Sequence, residues 1–144
     1  MPERETVERA REDAREGKSP STQAGEFVRE EMHHIREGKH GAASTRQAIA
    51  IGLSKARRAG VRPAAKGSAS TQKKAEQDSR AAQSRRKPSR TRSRAASNAL
   101  KREPRSAASR GSLSRQANSS AASRKRVRSM AAKKSAQTRT RRAA

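Results

Sequence analysis

Cysteine, tryptophan and tyrosine are absent from this chain of 144 residues, and one phenylalanine is its whole aromatic content. Without cysteine there is no disulfide framework and no thiolate metal site. Residues 63–144 have no aromatic side chain at all, so they offer no aromatic platform on which nucleobases could stack. Long apolar runs are missing as well. No stretch approaches the roughly 20 apolar residues of a membrane span, and the opening Met-Pro-Glu-Arg-Glu-Thr carries no apolar run of signal-peptide length. A soluble cytoplasmic protein is expected. Acidic residues are few too, 13 against 37 Lys and Arg, which leaves a net charge of +24.

Only 29% of the chain is hydrophobic. Ordering backbone costs about 1–2 kcal/mol per residue, and buried apolar side chains supply most of what offsets that cost. Low hydrophobicity combined with high net charge is the composition of disorder. The fold class expected is therefore mostly disordered, with a small all-α N-terminal part of two or three short helices.

The charge is segregated. Residues 1–62 hold 13 Lys or Arg and 10 Asp or Glu, a balance of +3; residues 63–144 hold the other 24 basic and 3 acidic residues, a balance of +21. Three regions follow: a charged N-terminal helix over 1–18, a helical hairpin segment over 20–62, and a disordered, low-complexity Ala/Ser/Arg/Lys tail over 63–144.

In the first region Val7, Ala10 and Ala14 recur at helical spacing before Gly17, an apolar stripe so thin that the helix reads as solvated. Next, Ser19-Pro20-Ser21-Thr22 forms a turn and N-cap cluster. Phe27, Val28, Met32 and Ile35 then keep helical spacing to the break at Gly38 and Gly41, predicting a helix from about Thr22 to Glu37. Ser44 and Gln47 fit a capping box opening the most apolar run of the chain, which ends at Gly60. Ile49, Leu53 and Ala56 share a face of this third helix, beside Ala48 and Ile51. The second and third helices pair as a hairpin over about 22–59 across the Gly-Lys-His-Gly turn. So small a hairpin is expected to self-associate or to bind a protein partner.

In the tail, Pro63, Pro88 and Pro104 divide pieces that Ala and Arg allow to become helical once phosphates neutralise their repulsion. Basic clusters recur at Lys73 and Lys74; Arg85, Arg86 and Lys87; Arg90, Arg92 and Arg94; Lys101 and Arg102; Arg124, Lys125, Arg126 and Arg128; Lys133 and Lys134; and Arg139, Arg141 and Arg142. These are the candidate nucleic-acid-binding residues. Duplex DNA offers about one negative charge per 1.7 Å of axis, and each phosphate neutralised releases condensed counterion. Arg, more abundant here than Lys, grips phosphate with two parallel hydrogen bonds. Reading of base edges needs side chains held in a groove, and no zinc-finger spacing or RNP-type aromatic motif is present. A helix-turn-helix reading of the hairpin fares poorly, because an apolar third helix with only Arg46, Lys55, Arg57 and Arg58 as charges makes a poor recognition helix. Arg86 to Ser89 and Arg126 to Ser129 resemble basophilic kinase substrates, a pattern that chance supplies in such a composition.

His33, His34 and His40, with Glu30, Glu31 and Glu37, have the donor types of a metal site. A site needs ligands converging from fixed positions, and His40 stands on a Gly-flanked turn beyond the helix carrying the others. Surface helix residues are expected instead, with no metal, no cofactor and no buried pocket in which carboxylates could perform acid–base chemistry. No enzymatic role is expected.

The segment Arg36-Glu37-Gly38-Lys39-His40-Gly41, followed by Arg46 and then Gln47 to Gly60, resembles a family of small basic bacterial proteins of unknown function that share a Q-A-I-A-I-x-L-S-x-A-R-x-A-G helix. That resemblance implies a bacterial, cytoplasmic setting and carries no catalytic residue. In composition alone, the tail is similar to linker-histone and histone-like tails. The expected function is sequence-independent binding of nucleic acid, DNA ahead of RNA, on the bacterial nucleoid. The rival readings are an RNA-associated protein and a helical protein-interaction module with an accessory polycationic tail. A membrane partner is not expected, since the tail lacks large apolar side chains to insert.

Overall fold

The computed structural model describes residues 2–65, 67–84 and 89–143, with the backbone alone of Arg142 and Ala143. Six α-helices follow one another among them: α1 (Arg4–Arg15), α2 (Pro20–Glu37), α3 (Thr45–Arg58), α4 (Ala69–Gln83), α5 (Arg90–Arg102) and α6 (Arg110–Ala143), with a 3₁₀ turn at Arg105–Ala108 between the last two. The expectation of a mostly disordered chain is overturned, because helices occupy most of residues 63–144. Local propensity is the reason. Ala, Arg, Lys and Gln are the residues that lose least on entering a helix, and a long helix repays its nucleation cost from within. Two of the dividing prolines precede helical elements, Pro63 ahead of α4 and Pro104 ahead of the 3₁₀ turn, while Pro88 lies outside the described residues.

The N-terminal helices begin where side chains can satisfy free amides. Ser19 accepts from the Thr22 amide, and Pro20 occupies the first turn of α2, where its missing N–H costs nothing. Helix α2 thus starts two residues earlier than Thr22. Ser44 caps α3 by accepting from the Gln47 amide at 3.1 Å, while Gln47 Oε1 reaches back to accept from the Ala43 amide at 2.7 Å.

Helices α1, α2 and α3 pack together, with α4 against α3. Their core is small: Ala10, Ala24, Phe27 and Ala56 are buried together, flanked by half-buried Val7, Leu53 and Val61. Helix α1 is therefore a packed helix, with Thr6 and Ala10 buried and Arg9 Nε donating to Glu26 Oε2 of α2 at 2.9 Å. Among the residues expected to pack the hairpin, Phe27, Met32, Ile35 and Ala56 are buried, while Val28, Ile49 and Leu53 are half-buried. The buried stripe of α3 runs through Thr45, Ala48, Gly52 and Ala56 instead of Ile49 and Leu53. Small side chains win that face because α2 approaches so closely. A Cβ on Gly52 would stand 2.7 Å from Cα of Val28.

The chain divides into two compact units, Met1–Ser109 and Arg110–Ala144. Residues 100–108 belong structurally with the hairpin, beyond the expected boundary at residue 62. The Gly41 amide donates to the Leu100 carbonyl at 2.8 Å and the Ala42 amide to the Pro104 carbonyl at 3.1 Å. Thr45 Oγ1 donates to the Ala107 carbonyl at 2.6 Å, and Arg36 Nε to the Ala108 carbonyl at 3.1 Å. Ala42, Ala107 and Ala108 are buried at this junction.

Only glycine fits at position 41, since a Cβ there would fall onto the Glu103 carbonyl, with the Pro104 oxygen 2.7 Å away. Gly41→Ala is expected to undock residues 100–108 while α1 to α3 stay folded. Amide hydrogen exchange checks this: protection should fall at Gly41 and Ala42 and be kept within α2, and unchanged protection at residues 41 and 42 would contradict the docking.

Candidate functional site

Two groups of chemically active side chains stand out, and they differ in how their charges are satisfied. The first is the set of basic residues on α4, α5 and α6. Lys73 and Lys74 are exposed on α4; Arg90, Arg92 and Arg94 are exposed on the first turns of α5, with Lys101 and Arg102 on its last. Arg124, Lys125, Arg126, Arg128, Lys133, Lys134, Arg139 and Arg141 are exposed on α6. Arg85, Arg86 and Lys87 lie outside the described residues, as does the side chain of Arg142. Among the described residues no carboxylate pairs with any of these cations; the ion pair within α4 joins Arg80 to Glu76.

Several cations of residues 1–62 behave differently. Arg9 pairs with Glu5 and Glu26, Lys18 with Asp13 and Glu16, Arg29 with Glu26, and Arg58 of α3 with Asp78 of α4. Its hydrogen bonds to Asp13 and then Glu16 raise the Lys18 ammonium far above the ordinary lysine range.

Helix α6 has 34 residues and, at about 1.5 Å per residue, a length of roughly 50 Å. Residues 110–144 include 11 Lys or Arg and no Asp or Glu. At about 100° per residue, Arg124, Arg128 and Arg139 fall on one side and Arg126 and Lys133 on the other, so the charge encircles the helix. From Arg124 onward this helix has no apolar face: Val127 and Met130, its larger apolar side chains there, are 64% and 70% exposed. A helix polar all round lacks the stripe that would hold it to a core, and like charges at i, i+4, such as Arg124 and Arg128, oppose it.

The second group lies within Met1–Ser109 and corrects the reading of the α2 carboxylates and histidines as surface residues. Glu30, Glu31 and His34 are buried, Glu31 completely. The positive φ of Gly38 ends α2, and the Gly-flanked turn folds back so that His40 Nε2 lies 3.3 Å from Glu31 Oε1. Lys55 reaches in from α3, its Nζ 2.7 Å from Glu31 Oε2 and 3.3 Å from Glu30 Oε1. From the start of α1, the Glu3 amide donates to Glu30 Oε2 at 3.3 Å, and Glu3 Oε1 accepts from His34 Nε2 at 2.9 Å and from Lys39 Nζ at 3.2 Å.

Those last two bonds, His34 first and Lys39 next, hold the Glu3 carboxyl below the usual carboxylate range. Lys39 is raised correspondingly by Glu37 and Glu3. His33 remains outside this cluster, exposed and paired with Glu37 at 2.9 Å. The sequence contained the signal for the cluster: Glu30 and Glu31 stand four and three residues before His34, so all three share a helix face. That the face turns inward is a tertiary fact.

Fold and site together define an all-helical protein in which a helical unit rich in internal ion pairs precedes a polybasic helix. Among the described residues no helix is long and apolar enough to cross a membrane. No protein-family model, curated protein or solved structure matches the chain.

Proposed function

We propose that this protein binds nucleic acid, DNA in preference to RNA, through phosphate contacts and without reading sequence. The observation carrying the proposal is the contrast in pairing. Carboxylates engage Arg9, Arg29, Lys55 and Arg58 of α1 to α3, whereas the exposed basic clusters of α4, α5 and α6 have none among the described residues. An exposed cation without an internal partner breaks no ion pair on meeting a phosphate, and gains the entropy of released counterions. Helical presentation sharpens the idea of a flexible polycation. Arg side chains project from a rod of roughly 50 Å, about the axial rise of 15 base pairs.

The missing aromatics, with no base-reading constellation among these helices, support a grip on phosphates alone. The resemblance of α3 to the Q-A-I-A-I helix supports a bacterial cytoplasmic setting, and DNA binding there would put the protein on the nucleoid. The cations serve charge neutralisation, and the reading involves no enzymatic step.

Fluorescence anisotropy with two unrelated duplexes of equal length tests the proposal. Affinities within about threefold of each other are expected at one salt concentration, whereas in a sequence-reading protein a single mismatched base pair typically costs about 1–3 kcal/mol. A tenfold preference for one duplex would contradict sequence-independent binding. Stronger competition by duplex RNA than by duplex DNA would favour the RNA reading.

A further inference from the structure

We infer that Glu31, His34 and His40 form a binding site for a divalent transition-metal ion of the Zn²⁺ type. One ligand-type atom of each residue lies within 4.8 Å of the others. Two come from α2 at the spacing i, i+3, and the third from the turn after it. Ligand atoms around tetrahedral zinc stand roughly 3–3.5 Å apart, so rotation of the three side chains closes the site.

The hydrogen bonds of both imidazoles point the same way. His34 Nε2 faces Glu3 Oε1 at 2.9 Å, and a carboxylate only accepts, so Nε2 donates there and Nδ1 is the nitrogen left for a metal ion. His40 Nδ1 lies 3.1 Å from the Gly41 carbonyl and donates to it, which leaves Nε2, facing Glu31 Oε1, as the nitrogen for the ion. A carboxylate or carbonyl behind each histidine is the arrangement that fixes the tautomer of metal-bound imidazole.

Glu31 supplies an independent observation. It is fully buried, and neither carboxylate oxygen has a hydrogen bond of good geometry among the described residues. Buried carboxylate oxygens are costly to leave so, and a metal ion satisfies them. Lys55 approaches Oε2 at 2.7 Å while His40 approaches Oε1 at 3.3 Å. Coordination through Oε1 therefore keeps the lysine as the outer partner of the ligating carboxylate. The charge balance agrees: around the site Glu3, Glu30, Glu31 and Glu37 face Lys39 and Lys55, four negative against two positive groups.

Water fills the fourth position. The ion ties α2 to the Gly-flanked turn and, through Glu3, to α1. A chain without cysteine and with so small a core gains a staple by this means.

Zn²⁺ titrated calorimetrically into the full-length, metal-free chain is expected to bind at one equivalent and to raise the melting temperature. Cobalt(II) should give the intense visible bands of tetrahedral coordination. His40→Ala and Glu31→Gln should each weaken Zn²⁺ binding more than about 100-fold, and Glu3→Gln, behind His34, about 10–100-fold. His33→Ala should leave it unchanged. Circular dichroism establishes that each variant is folded, and His40, on the turn, is the substitution least able to disturb the helices. Zn²⁺ affinity unaltered in folded His40→Ala, equal losses in His33→Ala, octahedral cobalt spectra, or no binding by the folded native chain would each overturn the inference.

Discussion

Removing residues 110–144 is expected to flatten the salt dependence of DNA binding, which in the intact chain should be steep. If about ten phosphates are engaged, the slope of log affinity against log salt is about −9, and affinity falls by about 10⁵ between 50 and 200 mM salt. The deleted segment holds 11 of the 24 basic residues that follow residue 62 and none of the acidic ones. With about half the phosphate contacts left, the fall over that salt interval should shrink to about 10²–10³.

The cut follows the boundary between the two compact units at Ser109, so Met1–Ser109 keeps its own contacts. A cut at residue 62 would be a poorer test, because it also strips the carbonyls of Ala107 and Ala108 from Thr45 and Arg36. Anisotropy titrations of both chains over a salt series measure the two slopes. Identical slopes would remove α6 from the interface, and a shallow slope in the intact chain would sink the electrostatic mechanism.

Gly52→Ala should lower the melting temperature by about 5–15 °C, although alanine is the better helix former. A Cβ at position 52 meets Cα of Val28 at 2.7 Å and the Phe27 carbonyl oxygen at 3.0 Å. Both are backbone atoms of α2 and cannot rotate away, so α3 must withdraw from α2 and the packing around Phe27 and Ala56 loosens. Overpacking of this kind typically costs about 1–3 kcal/mol, and in a unit of this size each kcal/mol moves the melting temperature by about 4–8 °C.

Gly25→Ala is the matched control, because a Cβ there meets nothing within 4 Å. Its expected effect is a gain of up to about 1 kcal/mol from helix propensity. Thermal melts followed by circular dichroism separate the two, and a Gly52→Ala chain as stable as the native one would refute close packing of α3 on α2.

Several features are legible in the residues alone. Ser19 and Ser44 mark helix starts because a hydroxyl can satisfy a free amide locally, and Gly38 marks a helix end because its backbone accepts a positive φ. Phe27 and Ile35 are readable as core from spacing. The tail misleads because its composition speaks only to the lack of a core, and a core is not the sole source of order. Its Ala, Arg and Lys residues favour helix by propensity, without a buried face. The histidines mislead for the opposite reason. In sequence the Gly-flanked turn separates His40 from α2, whereas in the fold the turn reverses and the Gly41 and Ala42 amides anchor it to residues 100–104.

By itself the sequence determined the charge segregation, the N-caps of α2 and α3, and the lack of aromatic side chains in residues 63–144. All are local or compositional properties, set by residue type and near neighbours. Only the tertiary structure decided that Gly52 and Ala48 rather than Ile49 face α2. It also decided that residues 100–108 close over the hairpin turn, and that Glu31, His34 and His40 converge with Lys55 inside the fold. Those facts depend on distances between segments far apart in the chain, where backbone approach and burial outweigh what each side chain prefers alone.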